Sequence, residues 1–263
     1  MPFWKKIMFV VVDIVLAVYL VLAVSSFNII DEKEMKCNKV SIRIADETTN
    51  GFLSVGEIKN ILQKKHLYPW RRPVGEIKVR QIEEQLLASP FVNTAQCFLT
   101  KEGNVYIDIT QRMPVVRIKN ERGFDYYLDD KGREMPNSKY VSDLIIATGH
   151  ISRHYAKNYL DQIAKTINNS ELWRNQIMQI NILNDYSVEL VPRVGDHLIN
   201  IGRIPDFGNN EERDKKIDEY IMKKLNRLEK FYRYGLSQAG WNKYSYINIE
   251  FDNQIICKRK KVN

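Results

Sequence analysis

Residues Ala95 to Ile109 read AQCFLTKEGNVYIDI, and this stretch decides how the first half of the chain folds. Apolar and polar residues alternate on both sides of a central Glu102-Gly103-Asn104. Alternation with a period of two is typical of strands with one buried face, and a short Gly-containing connection joins such strands as a hairpin. The stretch therefore predicts two neighbouring strands joined by a tight turn.

One strand and two helices precede this hairpin. Residues 40–45 alternate as a strand does, and Ser54 and Glu57 have the spacing of a capping box at the start of a helix over about 54–65. Apolar residues at helical spacing predict a second helix, which begins near Val79 and ends before Pro90. The order strand, helix, helix, strand, strand predicts an α+β domain over 39–115, with two helices on a three-stranded sheet.

Residues 116–263 predict a second, mixed β domain with flanking helices. Pro114 interrupts strand pairing and marks the join. Alternating segments predict strands near 124–128, 178–182, 186–191, 197–202, 247–251 and 254–259. Apolar stripes predict a helix over 153–168 and a long helix with its N-cap at Asn209 and its stripe over 217–232. Asp252-Asn253 forms the turn between the last two strands.

The N-terminus carries an apolar run, Ile7–Val24, in which Asp13 is the one charged residue. As a helix, the run is about 27 Å long, close to the thickness of a ~30 Å hydrocarbon core. This predicts a cytoplasmic tail over 1–6, a transmembrane helix over 7–27 and a connector over 28–38. Lys5 and Lys6 favour a cytoplasmic N-terminus. A cleaved signal peptide is the alternative, but the run exceeds a typical signal core of ~7–15 apolar residues.

Composition and motifs indicate a binding protein rather than an enzyme. The net charge is +8 over 263 residues, but the membrane topology argues against nucleic acid, and the three cysteines lack paired spacing. No nucleophile elbow or phosphate-binding loop occurs, and His150 and His154 lack an apparent third metal ligand. A wall-cleaving enzyme is the rival class, since paired carboxylates meet only in the fold. We therefore expect no catalytic residue, cofactor, metal or small-molecule substrate.

Four segments in this order resemble the bacterial cell-division family FtsQ, which is called DivIB in some bacteria. They are Ser89–Val92, Gln111–Val116 (similar to the family's E-R-x-P-V-A), Tyr127–Gly132 and Ile247–Asn253. Gln111 replaces the usual acid, the cytoplasmic tail is very short, and the loop with Trp70-Arg71-Arg72 is long for the family. The resemblance implies a POTRA-like domain at 39–115 and a β domain at 116–263. It also implies one helix in the inner membrane, with the main domain in the periplasm.

The resemblance implies a division scaffold that binds proteins of the FtsB and FtsL type. If Gln254 to Arg259 lies at a sheet edge, its main chain can accept a strand from a partner. By position, the partner-binding residues are Phe251, Asn253, Gln254, Ile255 and Ile256, although the two isoleucines could equally serve ordinary packing. The alternative function is a POTRA-bearing envelope factor that handles translocating polypeptides.

Overall fold

The structure is a computed structural model that describes residues 3–27, 35–45, 53–138, 143–208 and 212–261. Two compact units account for the chain. The first unit comprises Met1–Arg43, Val55–Leu86 and Ala95–Ile109, and the second comprises Ile44–Ser54, Leu87–Thr94 and Thr110–Asn263.

Helix α1, Phe3–Phe27, contains the apolar run of the N-terminus. Among the helices in the described part of the chain, none was found that is both long enough and apolar enough to span a membrane. Of the predicted connector, residues 35–38 are described. The membrane anchor therefore stays a prediction from the sequence.

A three-stranded sheet with two helices follows, as the sequence predicts. The sheet order is β1-β3-β2, so the hairpin places its second strand in the centre. Ile58 and Leu62 of the first helix and Ile82 and Leu86 of the second are buried. The elements are β1 (Lys39–Ile44), α2 (Val55–Lys64), α3 (Val79–Leu87), β2 (Val92–Leu99) and β3 (Asn104–Gln111), with a 3-10 turn at Val74–Glu76 between the helices.

The second unit contains a mixed sheet of nine strands in the order β12-β11-β10-β9-β8-β7-β4-β5-β6. Strand β4 begins at Pro114, and a bulge between Pro114 and Val116 separates this proline from the regular pairing with β5. The strands are β4 (Pro114–Asn120), β5 (Asp125–Asp129), β6 (Glu134–Pro136), β7 (Ile145–Gly149), β8 (Ile177–Ile182), β9 (Ser187–Pro192), β10 (Leu198–Arg203), β11 (Tyr244–Asn248) and β12 (Ile256–Arg259).

Helices cover one face of this sheet. A continuous helical segment consists of α4 (Arg153–Tyr155), a π-helical turn (Ala156–Leu160) and α5 (Asp161–Asn169). A long helix consists of α7 (Arg213–Phe231), a π-helical turn (Tyr232–Leu236) and α8 (Ser237–Ala239). The short helix α6 (Glu171–Gln176), which buries Trp173, was not predicted from the sequence. The expected helix start at Asn209 lies outside the described residues.

The two faces of the sheet differ in chemistry. Alternate residues of the central strands, such as Ile180, Ile199 and Ile247, are fully buried in one core with residues of α5 and α7. On the opposite face, polar side chains of neighbouring strands bond to one another. Asn181 Nδ2 donates to Glu189 Oε2 at 3.1 Å, and Asn200 Nδ2 donates to the Tyr246 hydroxyl at 2.7 Å. Hydrogen bonds between these partners make it possible for polar groups to be buried there.

Candidate functional site

Strand β12 forms one end of the nine-stranded sheet. Within the described part of the chain it pairs with β11 alone, in antiparallel register, with Cys257 opposite Ile247 and Ile256 opposite Asn248. The sequence placed this strand at Gln254 to Arg259, but the structure begins it at Ile256. Gln254 and Ile255 belong to the connection instead, because the chain is still leaving the turn there.

The hydrogen bonds at the end of the hairpin show which main-chain groups of β12 face outward. The Lys260 N–H donates to the Lys243 carbonyl at 3.0 Å, and the Ser245 hydroxyl donates to the Lys258 carbonyl at 3.4 Å. The main-chain groups of Lys258 and Lys260 therefore face β11. Because main-chain groups alternate in direction along an antiparallel strand, those of Cys257 and Arg259 point away from the sheet.

The side chains of β12 present two different faces. Ile255 and Cys257 pack against the core of the unit, and burial raises the pKa of the Cys257 thiol. Ile256 is 49% exposed, and Lys258 is also exposed. The edge thus offers one apolar side chain and a basic neighbour on the face away from the core.

The remaining predicted partner-binding residues lie in the turn before the strand. Phe251, Asn253 and Gln254 are all exposed, and 46% of Phe251 is accessible. Four of the five predicted residues are therefore exposed in the segment Phe251 to Ile256, whereas Ile255 packs against the core. The structure does not test whether that segment binds a partner.

A group of cations on α7 holds this turn, and the sequence analysis did not identify it. Lys223 Nζ donates to Asp252 Oδ2 at 2.8 Å, and Lys224 Nζ donates to the Glu250 carbonyl. The Arg227 guanidinium donates to the carbonyls of Asp252, Ile249 and Gln254 at 2.7, 2.9 and 3.1 Å. These three cations, named here the turn clamp, fix the main chain that leads into β12.

Lys224 is the unusual member of the turn clamp, because it is 2% exposed. Burial lowers the pKa of Lys224, and Asp252 opposes that shift. Hydrogen bonds from Lys223 and Lys224 in turn lower the pKa of Asp252. A sequence signal was present: Lys224 lies three residues after Ile221 and four before Leu228, on the apolar side of the helix.

A buried histidine lies beneath the other end of the hairpin. His197 is 2% exposed, and its Nε2 atom lies 2.7 Å from the Tyr232 hydroxyl oxygen. Burial lowers the pKa of His197, with an opposing effect from the neighbouring Asp196. Asp196 also accepts a hydrogen bond from Lys260 Nζ at 2.9 Å, just beyond β12.

The segment Gln111–Val116 has a structural role in the second unit. The Gln111 side chain accepts a hydrogen bond from the Leu53 N–H at 2.9 Å, which an amide does as well as an acid. Arg112 Nε donates to Asp129 Oδ2 at 2.9 Å. Burial alone would raise the pKa of Asp129, but hydrogen bonds from Arg133 and Arg112 lower it overall.

The described residues provide no group of three or more His, Cys, Asp or Glu side chains that could hold a metal ion. His150 Nδ1 lies 2.7 Å from Glu121 Oε1, whereas His154 accepts an Asn158 bond at its carbonyl.

Comparison with protein-family models identifies both parts of the chain. A model described as FtsQ/DivIB, C-terminal related, matches residues 113–258, which is more than half of the chain. The chain belongs to this FtsQ/DivIB C-terminal-related family. A second model, described as a POTRA-like domain, matches residues 35–110. No match was found among curated proteins. Domains of these two families suggest a role of the cell-division type and are typically non-catalytic.

Proposed function

We propose that this protein is an FtsQ-type, non-enzymatic scaffold of bacterial cell division, anchored in the inner membrane. It recruits and couples partners of the FtsB and FtsL type at the septum by accepting a strand at β12. The observation that carries the proposal is the outer edge of β12, which pairs with β11 alone among the described strands and lies at the end of the region matched by the FtsQ/DivIB-related model.

Strand addition at β12 has a specific geometry. A partner strand bonds to the N–H and C=O groups of Cys257 and Arg259, which supply affinity whatever the partner's sequence. Ile256 and Phe251 select apolar neighbours, and Lys258, Arg259 and Lys260 favour acidic ones. We therefore expect a partner strand with an apolar residue near Ile256 and acidic residues near Lys258 and Arg259.

The proposed membrane anchor rests on the sequence and on helix length. Helix α1 has 25 residues, so it extends about 37 Å at ~1.5 Å per residue and exceeds a ~30 Å hydrocarbon core. Apolar side chains such as Val15 and Leu22 are exposed in it. Because no described helix is both long and apolar enough to span a membrane, the anchor needs its own test: carbonate extraction of membranes should leave the full chain in the pellet. Release into the supernatant would contradict the anchor.

The orientation follows from the charges next to the anchor. Lys5 and Lys6 keep the N-terminus in the cytoplasm, which places the POTRA-like and β domains in the periplasm. A protease added to spheroplasts should then degrade the bulk of the chain. Protection of the chain in intact spheroplasts and cleavage after lysis would reverse the orientation.

A second candidate function follows from the POTRA-like match over residues 35–110. Its three-stranded sheet has β1 and β2 at its edges, and an edge strand is a surface on which extended polypeptides can pair. The chain would then be an envelope factor that handles translocating polypeptides.

Depletion of the protein from its host distinguishes the two functions. The division function predicts filaments without completed septa, and a fluorescent fusion of the full chain that concentrates at the division site. Normal septation combined with accumulated envelope-protein precursors would contradict it and favour polypeptide handling.

A further inference from the structure

A cavity of about 370 Å³ opens on the second unit beside the start of α4, in a different place from β12. Three tyrosines line it: Tyr155, Tyr159 and Tyr186. The rings of Tyr155 and Tyr159 are stacked with centroids 5.3 Å apart, and the Tyr186 ring lies 5.3 Å from that of Tyr155. The cavity thus has flat aromatic walls and a volume in the range of small-molecule sites.

The hydroxyl of Tyr155 has no hydrogen-bond partner among the described residues, although the atom is buried and the residue is 8% exposed. Burial raises the pKa of Tyr155, so the hydroxyl keeps its proton at neutral pH. Buried polar groups in native proteins are normally paired, and an exception calls for a partner. Tyr155 lines the cavity, and its buried hydroxyl is a polar group there that lacks a partner among the described residues.

Two exposed charged residues, Arg203 and Asp206, also line the cavity. Within the described ranges, neither Arg203 nor Asp206 forms a salt bridge. Asp206 Oδ1 accepts hydrogen bonds from the Tyr159 hydroxyl at 3.2 Å and from the Gly208 N–H at 2.9 Å. Those bonds orient the carboxylate and leave its negative charge available.

The backbone at Tyr186 supports a specific role for its ring. Tyr186 has a φ of 65°, a left-handed conformation that is uncommon for a bulky residue. Its N–H donates to the Leu183 carbonyl at 2.9 Å, which holds the turn. Residues kept in such conformations cluster at functional sites, and here the conformation places an aromatic wall of the cavity.

We propose that this cavity binds a free amino acid with an apolar or aromatic side chain. The ammonium group lies beside Asp206 and the tyrosine faces, where ring quadrupoles and the carboxylate both attract a cation. The carboxylate group lies beside Arg203, whose planar guanidinium bonds two oxygens at once. The proposal does not depend on the cell-division function.

The test uses the purified full chain and four probes in ligand-observed NMR titrations. The probes are L-phenylalanine, D-phenylalanine, phenethylamine and 3-phenylpropanoate, of which the last two each lack one charge. We expect saturable binding of phenylalanine that is at least about tenfold tighter than binding of either single-charge analogue, because each analogue loses a charge-assisted hydrogen bond.

Variants link that binding to the cavity. Arg203→Gln should remove the advantage of phenylalanine over phenethylamine, and Asp206→Asn should remove its advantage over 3-phenylpropanoate. The matched controls are Arg122→Gln and Asp130→Asn, exposed residues outside the cavity, and both should bind as the parent chain does. Thermal melts of all four variants check that the fold is retained.

Three results would overturn the proposal. The first is no saturable binding of either phenylalanine enantiomer at millimolar concentration. The second is equal binding of phenylalanine and a single-charge analogue. The third is an unchanged preference in the folded Arg203→Gln and Asp206→Asn variants.

Discussion

The two edges of the nine-stranded sheet differ in how they are protected from pairing. At one edge, β6 has three residues, its central Met135 is buried, and Pro136 has no N–H to offer. At the other edge, β12 carries basic side chains and keeps outward-facing N–H and C=O groups at Cys257 and Arg259. At β6 the short strand and its proline limit pairing, whereas at β12 basic side chains do so, and under the proposed function a partner of opposite charge pairs there.

Removing a single outward donor should have the largest effect on partner binding. Arg259→Pro deletes the N–H at that position, and we expect affinity for the FtsB- and FtsL-type pair of the same organism to fall about ten- to a hundredfold. Calorimetric titration of the full chain measures this. Arg259→Ala is the matched control, since it removes the charge and keeps the donor. An equal loss in both variants would assign the effect to charge instead.

Loosening the turn clamp should have the next largest effect. Arg227→Met removes three hydrogen bonds to main-chain carbonyls, and we expect a loss of about 2 kcal/mol in the free energy of unfolding. Denaturant melts give the value, and amide exchange should accelerate most in β12. The control is Arg233→Met on the same helix, which removes an exposed pair with Glu229. Its cost should stay below about 0.5 kcal/mol, and a similar cost for both would show that the clamp does not hold the edge.

Lowering the pH should reduce the free energy of unfolding by a smaller amount, through His197 beneath the β11–β12 hairpin. Because burial lowers the pKa of His197, the unfolded chain takes up the proton first as pH falls below about 6.5. The contribution of neutral His197 to the free energy of unfolding is therefore complete above that pH. It is lost as the pH falls toward the lower pKa of His197 in the folded chain. Melting curves at pH 7.5 and 5.5 should differ less in His197→Gln than in the parent chain. The exposed His154→Gln should leave the difference unchanged, and an unaltered difference in His197→Gln would exclude this origin.

The opposite edge should give the smallest effect of all. Pro136→Ala restores an N–H to β6, yet three residues with a buried centre give a partner little to pair with. We expect partner affinity to stay within about twofold and stability to fall by less than about 1 kcal/mol. A new association of the variant with itself or with the partner would mean that proline alone closes this edge.

The element order of the first domain and six of the nine strands of the second could be predicted from the sequence, because alternation and helical spacing are local properties, whereas β4, β6 and β7 were not predicted as strands. The hairpin at Ala95 to Ile109, the helix starting near Ser54 and the turn at Asp252 all lie where those patterns place them. The short helix containing Trp173 was missed, since six residues are too few to show a helical period. The start of β12 was placed two residues early, because Gln254 and Ile255 continue the alternation although the chain has not yet joined the sheet.

The residues of the candidate segment could be named from the sequence, but the direction of their main-chain groups and the cations that hold them could not. Phe251 to Ile256 was predicted as a segment, yet the direction of each main-chain group depends on the register with β11, which no local pattern determines. The turn clamp was missed for a related reason. Lys224 and Arg227 bond to main-chain carbonyls that the fold brings close. Because every residue carries a carbonyl, the sequence does not show which of them will be bonded.

Residue-resolved amide exchange on the full chain, alone and with the FtsB- and FtsL-type pair, tests strand addition most directly. The amides of Ile256 and Lys258 face β11 and should exchange slowly in both states. The amides of Cys257 and Arg259 should exchange fast alone and become strongly protected in the complex. If the complex forms while Cys257 and Arg259 stay unprotected, the partner does not add a strand at β12 and the central claim is wrong.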